Sequence, residues 1–252
     1  MRLALHAEWT KIRTAAGPLW LLLGTVVATV ALSTVATSVV NCTASGCGGD
    51  TTKLSLTGVY IGQALVAILA VLIISGEYSS GMIRTTLTAV PRRATAFAAK
   101  AITLTGVVAV GGTVAVLGSV LAGRLILPDL GDQALSLADG QTLRAVFGTV
   151  LYLILIGLLS LGVATAVRDS ATSIGVVLGL LYIVPILSQT IGDPDWQRLL
   201  EKIAPMSAGL AIQATTDLAS LPIAPWAGLG VTAGWAAAAL VVGGLLLRTR
   251  DA

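Results

Sequence analysis

The chain has 252 residues, of which 56% are apolar and only 11% charged, less than half the roughly 25% charged share of an ordinary soluble domain. Its mean hydropathy is +0.92 and its pI about 9.1, with a formal net charge of +3. These values exclude a soluble enzyme, and the sequence assembles no basic face of the kind that a nucleic-acid module needs. They predict an all-α polytopic membrane protein.

No periodic repeat or low-complexity tract interrupts residues 1–252, which read as a single transmembrane domain. Residues 1–17 come first. Leu5, Trp9, Ile12 and Ala16 recur at three- and four-residue spacing, whereas Arg2, Glu8, Lys11 and Arg13 fall on other faces. The pattern suits a helix lying in the membrane interface with Trp9 as its anchor. A signal peptide's charged start is the competing reading, but the apolar run behind it is too long for a signal core, and further spans follow.

Six apolar stretches succeed one another near residues 19–40, 54–76, 101–123, 145–167, 171–191 and 226–247, each close to the roughly 20 residues that a bilayer requires. An even number returns the chain to its starting side. With both ends inside, the cytoplasmic bases are Arg2, Lys11, Arg13, Arg84, Arg92, Arg93, Lys100, Arg168, Arg248 and Arg250, ten of the fifteen. Only Glu8, Glu77, Asp169 and Asp251 of the twelve acids join them. Positive-inside bias therefore predicts a multi-pass plasma-membrane protein with both termini cytoplasmic.

The first outer connection holds Cys42 and Cys47 with four residues between them. In an oxidising compartment the two can close a small ring; two free small hydrophobes are the alternative. A metal site would need further ligands, and the one histidine, His6, belongs to the opposite side. Asn41-Cys42-Thr43 is formally a glycosylation sequon.

Between the second and third spans lies a polar island, running from Glu77 through Gly81, Arg84 and Leu87 to Pro91, then Arg92, Arg93 and Lys100. A short helix opens at Gly76 and ends near Val90, because Pro91 disfavours helical geometry in the residue before it. Glu77, Gly81 and Arg84 lie at zero, four and seven, on one face of such a helix. Glycine in the middle admits a close backbone approach, and the flanking charges suit charge-assisted bonds to a partner. The plain alternative for the bases is that they merely hold the loop inside.

The spans themselves carry no ionisable side chain, which counts against a proton- or sodium-coupled carrier. Gln63, Gln189, Ser160, Thr165 and Ser188 are their notable polar groups, expected to glue helices together, and Gly106, Gly111, Gly112 and Gly118 are expected to let the third span pack closely. Pro185 is placed to kink the fifth span. No phosphate loop, paired metal ligands or nucleophile triad is present, so energy for uphill movement has to come from a partner. The connection 192–225 ends the survey. Trp196, Leu199, Leu200 and Ile203 form an apolar stripe, and 206–216 offers a second apolar helix too short to span. Two short outer helices, with Trp196, Leu200 and Met206 among their contact residues, are expected there; an ordinary interfacial loop is the alternative.

Three stretches carry a resemblance. Ala7-Glu8-Trp9-Thr10-Lys11-Ile12-Arg13-Thr14, the run from Glu77-Tyr78 through Gly81 and Arg84 to Leu87 with Pro91-Arg92-Arg93 and Lys100, and the ending at Arg248 and Asp251 are similar to ABC-2 family permeases. These are membrane subunits of ATP-binding-cassette exporters, and the likeness, which extends along the whole chain, is to the compact six-span forms of actinobacteria. It implies a type-V exporter fold with an interfacial helix at 1–17, a coupling helix within 77–91 and outer helices within 192–225.

It further implies a half-transporter. Two permease copies or paralogues would form the path, and separate ATPase subunits would bind the ATP and magnesium, leaving this chain without cofactor or catalytic site. Glu77, Gly81, Arg84, Leu87 and Pro91 would engage the ATPase. Glu8, Trp9, Lys11 and Arg13 would brace it at the membrane surface, and the outer helices would line or cap the exit. The uncharged spans favour an amphiphilic or apolar cargo such as a drug, lipid or lipopeptide; a polar cargo passing along a hydroxyl-lined path is the alternative. A structural or sensory membrane protein, and an ion-coupled carrier, are the readings of other classes.

Overall fold

The computed structural model describes residues 2–14, 16–40, 49–79, 81, 93–126 and 139–249. Among them there is no strand, and six helices are long and apolar enough to cross a membrane. An amino-terminal helix (Arg2–Thr14) leads into the first span (Ala16–Val39). Ala16 thus belongs to the span and not to the interfacial stripe. The second span is Val59–Ser79, the third Arg93–Ile126 and the fourth Gly140–Val167. The loop holding Cys42 and Cys47, and the segment holding Arg84, Leu87 and Pro91, lie outside the described residues.

The third span begins two turns ahead of its expected start because Lys100 is not left facing lipid; its ammonium is buried and ion-paired. At the other end of the bundle the second span starts later than expected. A short helix (Thr51–Ser55), capped by Asp50, turns at residues 56–58 before the span begins. The break falls where the chain crosses the first span at its closest. A Cβ on Gly58 would lie 1.9 Å from the Thr29 carbonyl oxygen, and the Gly58 N–H donates to Ser33 Oγ at 3.0 Å.

Spans two, three and four hold the core. Their most apolar windows are 50–56% buried, against 17% for the first and fifth spans. Tyr152, Leu153, Ile156 and Leu159 of the fourth span pack with Val66, Ala70, Leu104 and Val108. Lipid tails are as apolar as leucine, so burial alone does not join such helices; close packing and hydrogen bonds do. Accordingly Thr25, Thr29, Ser33 and Thr37 of the first span, spaced four apart, are all buried. Gly162 of the fourth span meets the sixth span (Pro225–Thr249), where an added Cβ would lie 2.4 Å from the Ala239 carbonyl carbon. In the third span Gly111, Gly112 and Gly118 face Leu22, Leu153 and Val30, but among the described residues nothing lies within 4 Å of a Cβ on Gly106, which packs against no other described helix.

The fifth span is broken into Ser170–Leu178, a π-helical turn Gly179–Ile183 and Val184–Thr190. Pro185 explains the break. Its ring collides with the carbonyl four residues back, that of Leu181, and the wider π turn makes room for it. Beyond come two outer helices, Pro194–Ile203 and Pro205–Leu210. The second is shorter than the expected 206–216: it gives way to a 3-10 turn (Ala211–Gln213), and the chain is extended at Ala214.

Candidate functional site

Four charged side chains meet at the end of the bundle where the amino-terminal helix, the close of the second span and the opening of the third converge. Lys100 Nζ lies 2.6 Å from Glu77 Oε1 and 2.8 Å from Glu8 Oε2. Lys11 Nζ lies 2.7 Å from the same Glu77 oxygen and 3.1 Å from Glu8 Oε1. Each acid therefore bridges both bases in a closed ring of two positive and two negative charges.

Burial makes the ring consequential. Lys100, Glu77 and Glu8 are 2%, 5% and 6% exposed, and the Lys11 side chain about a third. A charge out of water is tolerated only when matched, and here the four sum to zero. Burial by itself pulls the Lys11 pKa down. The hydrogen bond to Glu77 and the fields of Glu8 and Glu77 outweigh it, and the net direction is up, so Lys11 holds its proton more firmly than a free lysine. Glu77 Oε2 is buried with no hydrogen-bond partner.

Sequence placed Glu8 and Lys11 on a polar side of the interfacial helix. The structure turns Glu8 inward to the ring, three residues from Lys11, and leaves Trp9 and Arg13 exposed. Trp9 thus stays free to face the membrane interface. The expectation of a new helix opening at Gly76 is corrected: the second span runs unbroken through Ser79, and Glu77 sits in its last turn. Gly81 has φ +69, with its N–H donating to the Tyr78 carbonyl at 3.3 Å. Glu77 and Gly81 therefore do not share one helical face. The helix runs to Ser79, and Gly81 itself is left-handed, a conformation that glycine takes without a Cβ clash. Among the described residues nothing lies within 4 Å of a Cβ there, so the requirement for Gly81 that the structure shows is one of backbone conformation.

Two bases whose contacts the sequence did not reveal complete the fastening. Arg168, left-handed in the two-residue turn between spans four and five, places its guanidinium 5.4 Å from the centre of the Tyr78 ring. Arg93 Nη1 donates to the Leu247 carbonyl at 2.9 Å and so ties the third span to the close of the sixth. Lys100 was legible as the end of the polar island but not as a buried ion-pair partner, although its setting in Ala98-Ala99-Lys100-Ala101-Ile102 was a signal. A lone lysine in an apolar helical run needs a buried partner.

Other polar groups within the spans divide in two. Gln63 joins helices: its Oε1 accepts from Tyr152 Oη, its Nε2 donates to Tyr182 Oη at 3.3 Å, and Tyr182 Oη in turn donates to the Tyr60 carbonyl. Ser160, Thr165 and Ser188 instead spend their hydroxyls on carbonyls of their own helices, at 2.7 Å each, and among the described residues donate to no other helix. Of the outer-helix residues, Trp196 is exposed, Leu200 half-buried and Met206 buried. The second outer helix is wedged inward, with Thr232 of the sixth span donating to the Pro205 carbonyl at 3.0 Å. Among the described residues no group of three His, Cys, Asp or Glu side chains is placed to hold a metal.

Residues 4–186 match a family model described as ABC-2 family transporter protein. No curated protein matches the chain. The matched region takes in the ion ring and ends inside the fifth span, so it does not carry the expected likeness over the outer helices and sixth span, and it assigns no actinobacterial origin. Permeases of this family carry no catalytic site of their own and work with ABC ATPase subunits. With six candidate spans and this match over most of its length, the chain belongs to the ABC-2 family of transporters, as a membrane component.

Proposed function

We propose that this protein is the membrane half of an ATP-driven exporter of type-V architecture, and that the ring of Glu8, Lys11, Glu77 and Lys100 is the joint through which ATPase movement enters the bundle. One observation carries the reading. The ring joins the helices on both sides of the connection 80–92 to the amino-terminal helix, so displacement of that connection is transmitted to all three as one body. Arg84, Leu87, Pro91 and Gly81 are the residues we assign to direct contact with the ATPase, with Trp9 and Arg13 bracing it at the membrane surface. The weakly buried first and fifth spans favour a second permease copy or paralogue beside them. The uncharged middle of the spans favours an amphiphilic cargo such as a drug, lipid or lipopeptide, and positive-inside bias favours cytoplasmic termini in the plasma membrane.

The test uses the full chain co-expressed with its ATPase. Glu77→Gln keeps the shape of the side chain and removes its charge. It is expected to leave the permease inserted while ATPase retention and cargo-stimulated hydrolysis fall about tenfold. Unchanged retention and stimulation would make the ring a purely structural fastening, whereas a wild-type chain that retains no ATPase would favour a non-transporting membrane protein.

A further inference from the structure

A cavity of about 340 Å³ opens at the far end of the bundle from the ion ring, at the small end of the range for ligand pockets. The second half of the fifth span, the two outer helices, residues 221–223 and the start of the second span line it, and it is open on one side. Its walls are unlike one another. Pro185, Ile186, Met206 and Leu210 give an apolar side, and Tyr60 and Tyr182 a hydroxyl-bearing one whose bonds run on to Gln63.

Two full charges also line it, Lys53 from the short helix before the second span and Glu201 from the first outer helix. They do not pair with each other, and among the described residues neither makes a salt bridge with any other group. Glu201 Oε1 accepts only a 3.3 Å bond from Gln197 Nε2. A ligand bearing one charge would satisfy one of them and leave the other opposite a mismatched or apolar atom. A ligand bearing both satisfies both.

The outer helix itself is turned the wrong way round for a soluble surface. Trp196, Leu199 and Ile203, on one side of it, are all exposed, whereas Glu201, roughly opposite them, lines the cavity. Such a helix puts its apolar stripe into lipid and its polar side onto the cavity, at the depth where headgroups lie. Tyr182 reaches the cavity from the π turn, a distortion that recurs at functional sites.

From this convergence we infer that the cavity is a binding site for a zwitterionic amphiphile of the phosphoethanolamine-lipid class. Glu201 takes the ammonium, Lys53 the phosphate, and the acyl chain leaves along the apolar wall. The inference needs the six-span reading but not the ATPase, so its failure and that of the coupling proposal are separable.

Short-chain phosphatidylethanolamine, phosphatidylglycerol and soluble phosphoethanolamine are titrated into the purified full chain in detergent, and bound lipid is read by native mass spectrometry. The expected order is phosphatidylethanolamine first, with phosphatidylglycerol about tenfold weaker and soluble phosphoethanolamine weaker still for want of a chain. Glu201→Gln and, separately, Lys53→Gln each lose about tenfold for phosphatidylethanolamine, whereas Lys202→Gln, outside the cavity, loses nothing. Equal binding of the two lipids, or a preference that survives both cavity variants, overturns the assignment; tightest binding by soluble phosphoethanolamine overturns the lipid class.

Discussion

Lys100 Nζ stands 2.6 Å from Glu77 Oε1, and neither group has more than a few per cent of its surface in water. The two are 23 residues apart, one closing the second span and the other opening the third. Removing one partner of such a pair leaves a buried uncompensated charge, at a cost of about 3–5 kcal/mol. Lys100→Met should therefore lower the unfolding midpoint in detergent sharply. Lys100→Met combined with Glu77→Gln restores neutrality and should recover much of the loss, the sign of coupling in a double-mutant cycle. Simple addition of the two losses would mean that the charges do not interact.

Gly81 gives a second test, because its requirement is conformational. At φ +69 with no described atom within 4 Å of a Cβ, alanine and leucine meet the same backbone penalty of about 1–2 kcal/mol. Gly81→Ala and Gly81→Leu should loosen the end of the second span equally, with Gly81→Asn milder. Hydrogen exchange at Tyr78 and Ser79 reads this. A leucine effect far above that of alanine would point to a close neighbour instead.

Glycines in tight and open places should respond oppositely to alanine. Gly162→Ala drives a methyl group into the Ala239 backbone and is expected to cost about 1–3 kcal/mol. Gly106→Ala meets nothing and should be neutral or slightly stabilising through helix propensity. Thermal unfolding of the two variants side by side decides this; equal effects would contradict the packing of spans four and six.

Two groups outside the spans set opposite pH limits. Because the Lys11 pKa is raised, its contribution is complete below the unfolded lysine value and is lost only as pH rises through the higher folded one. Since Lys11 is a third exposed, that contribution is about 1 kcal/mol or less. Asp169 runs the other way. The Thr172 backbone N–H, bonded at 2.7 Å, leads the effects that lower its pKa. Its capping of the fifth span is present above the unfolded aspartate value and is lost as pH falls through the lower folded one. Protection of the Ala171 and Thr172 amides, taken relative to the intrinsic exchange rate at each pH, should fall in acid in the wild type and be low already at neutral pH in Asp169→Ala.

Orientation is open to a labelling test. With Cys42 and Cys47 replaced by serine, cysteine at the exposed Ser220 should react with an impermeant thiol reagent on intact cells, and cysteine at the exposed Ala94 should not. Reaction at Ala94 would reverse the proposed topology.

Much of this protein was determined by sequence alone. Class, span number and the approximate position of each helix follow from runs of apolar residues long enough for a bilayer, a property local to each run. The polar island was equally visible, because charge cannot remain in hydrocarbon. What became of those charges was decided only in three dimensions. Glu8 and Lys100 are 92 residues apart, and their 2.8 Å contact exists because the amino-terminal helix folds back onto the opening of the third span. The same holds for the helix end at Gly81, where period alone extended a face through a residue that the backbone turns left-handed. At the far end, the exposed Trp196 and the cavity-facing Glu201 could be assigned to opposite sides of one helix from periodicity. Which side met the protein depended on packing against the fifth and sixth spans, and in a membrane it is the polar side that is enclosed.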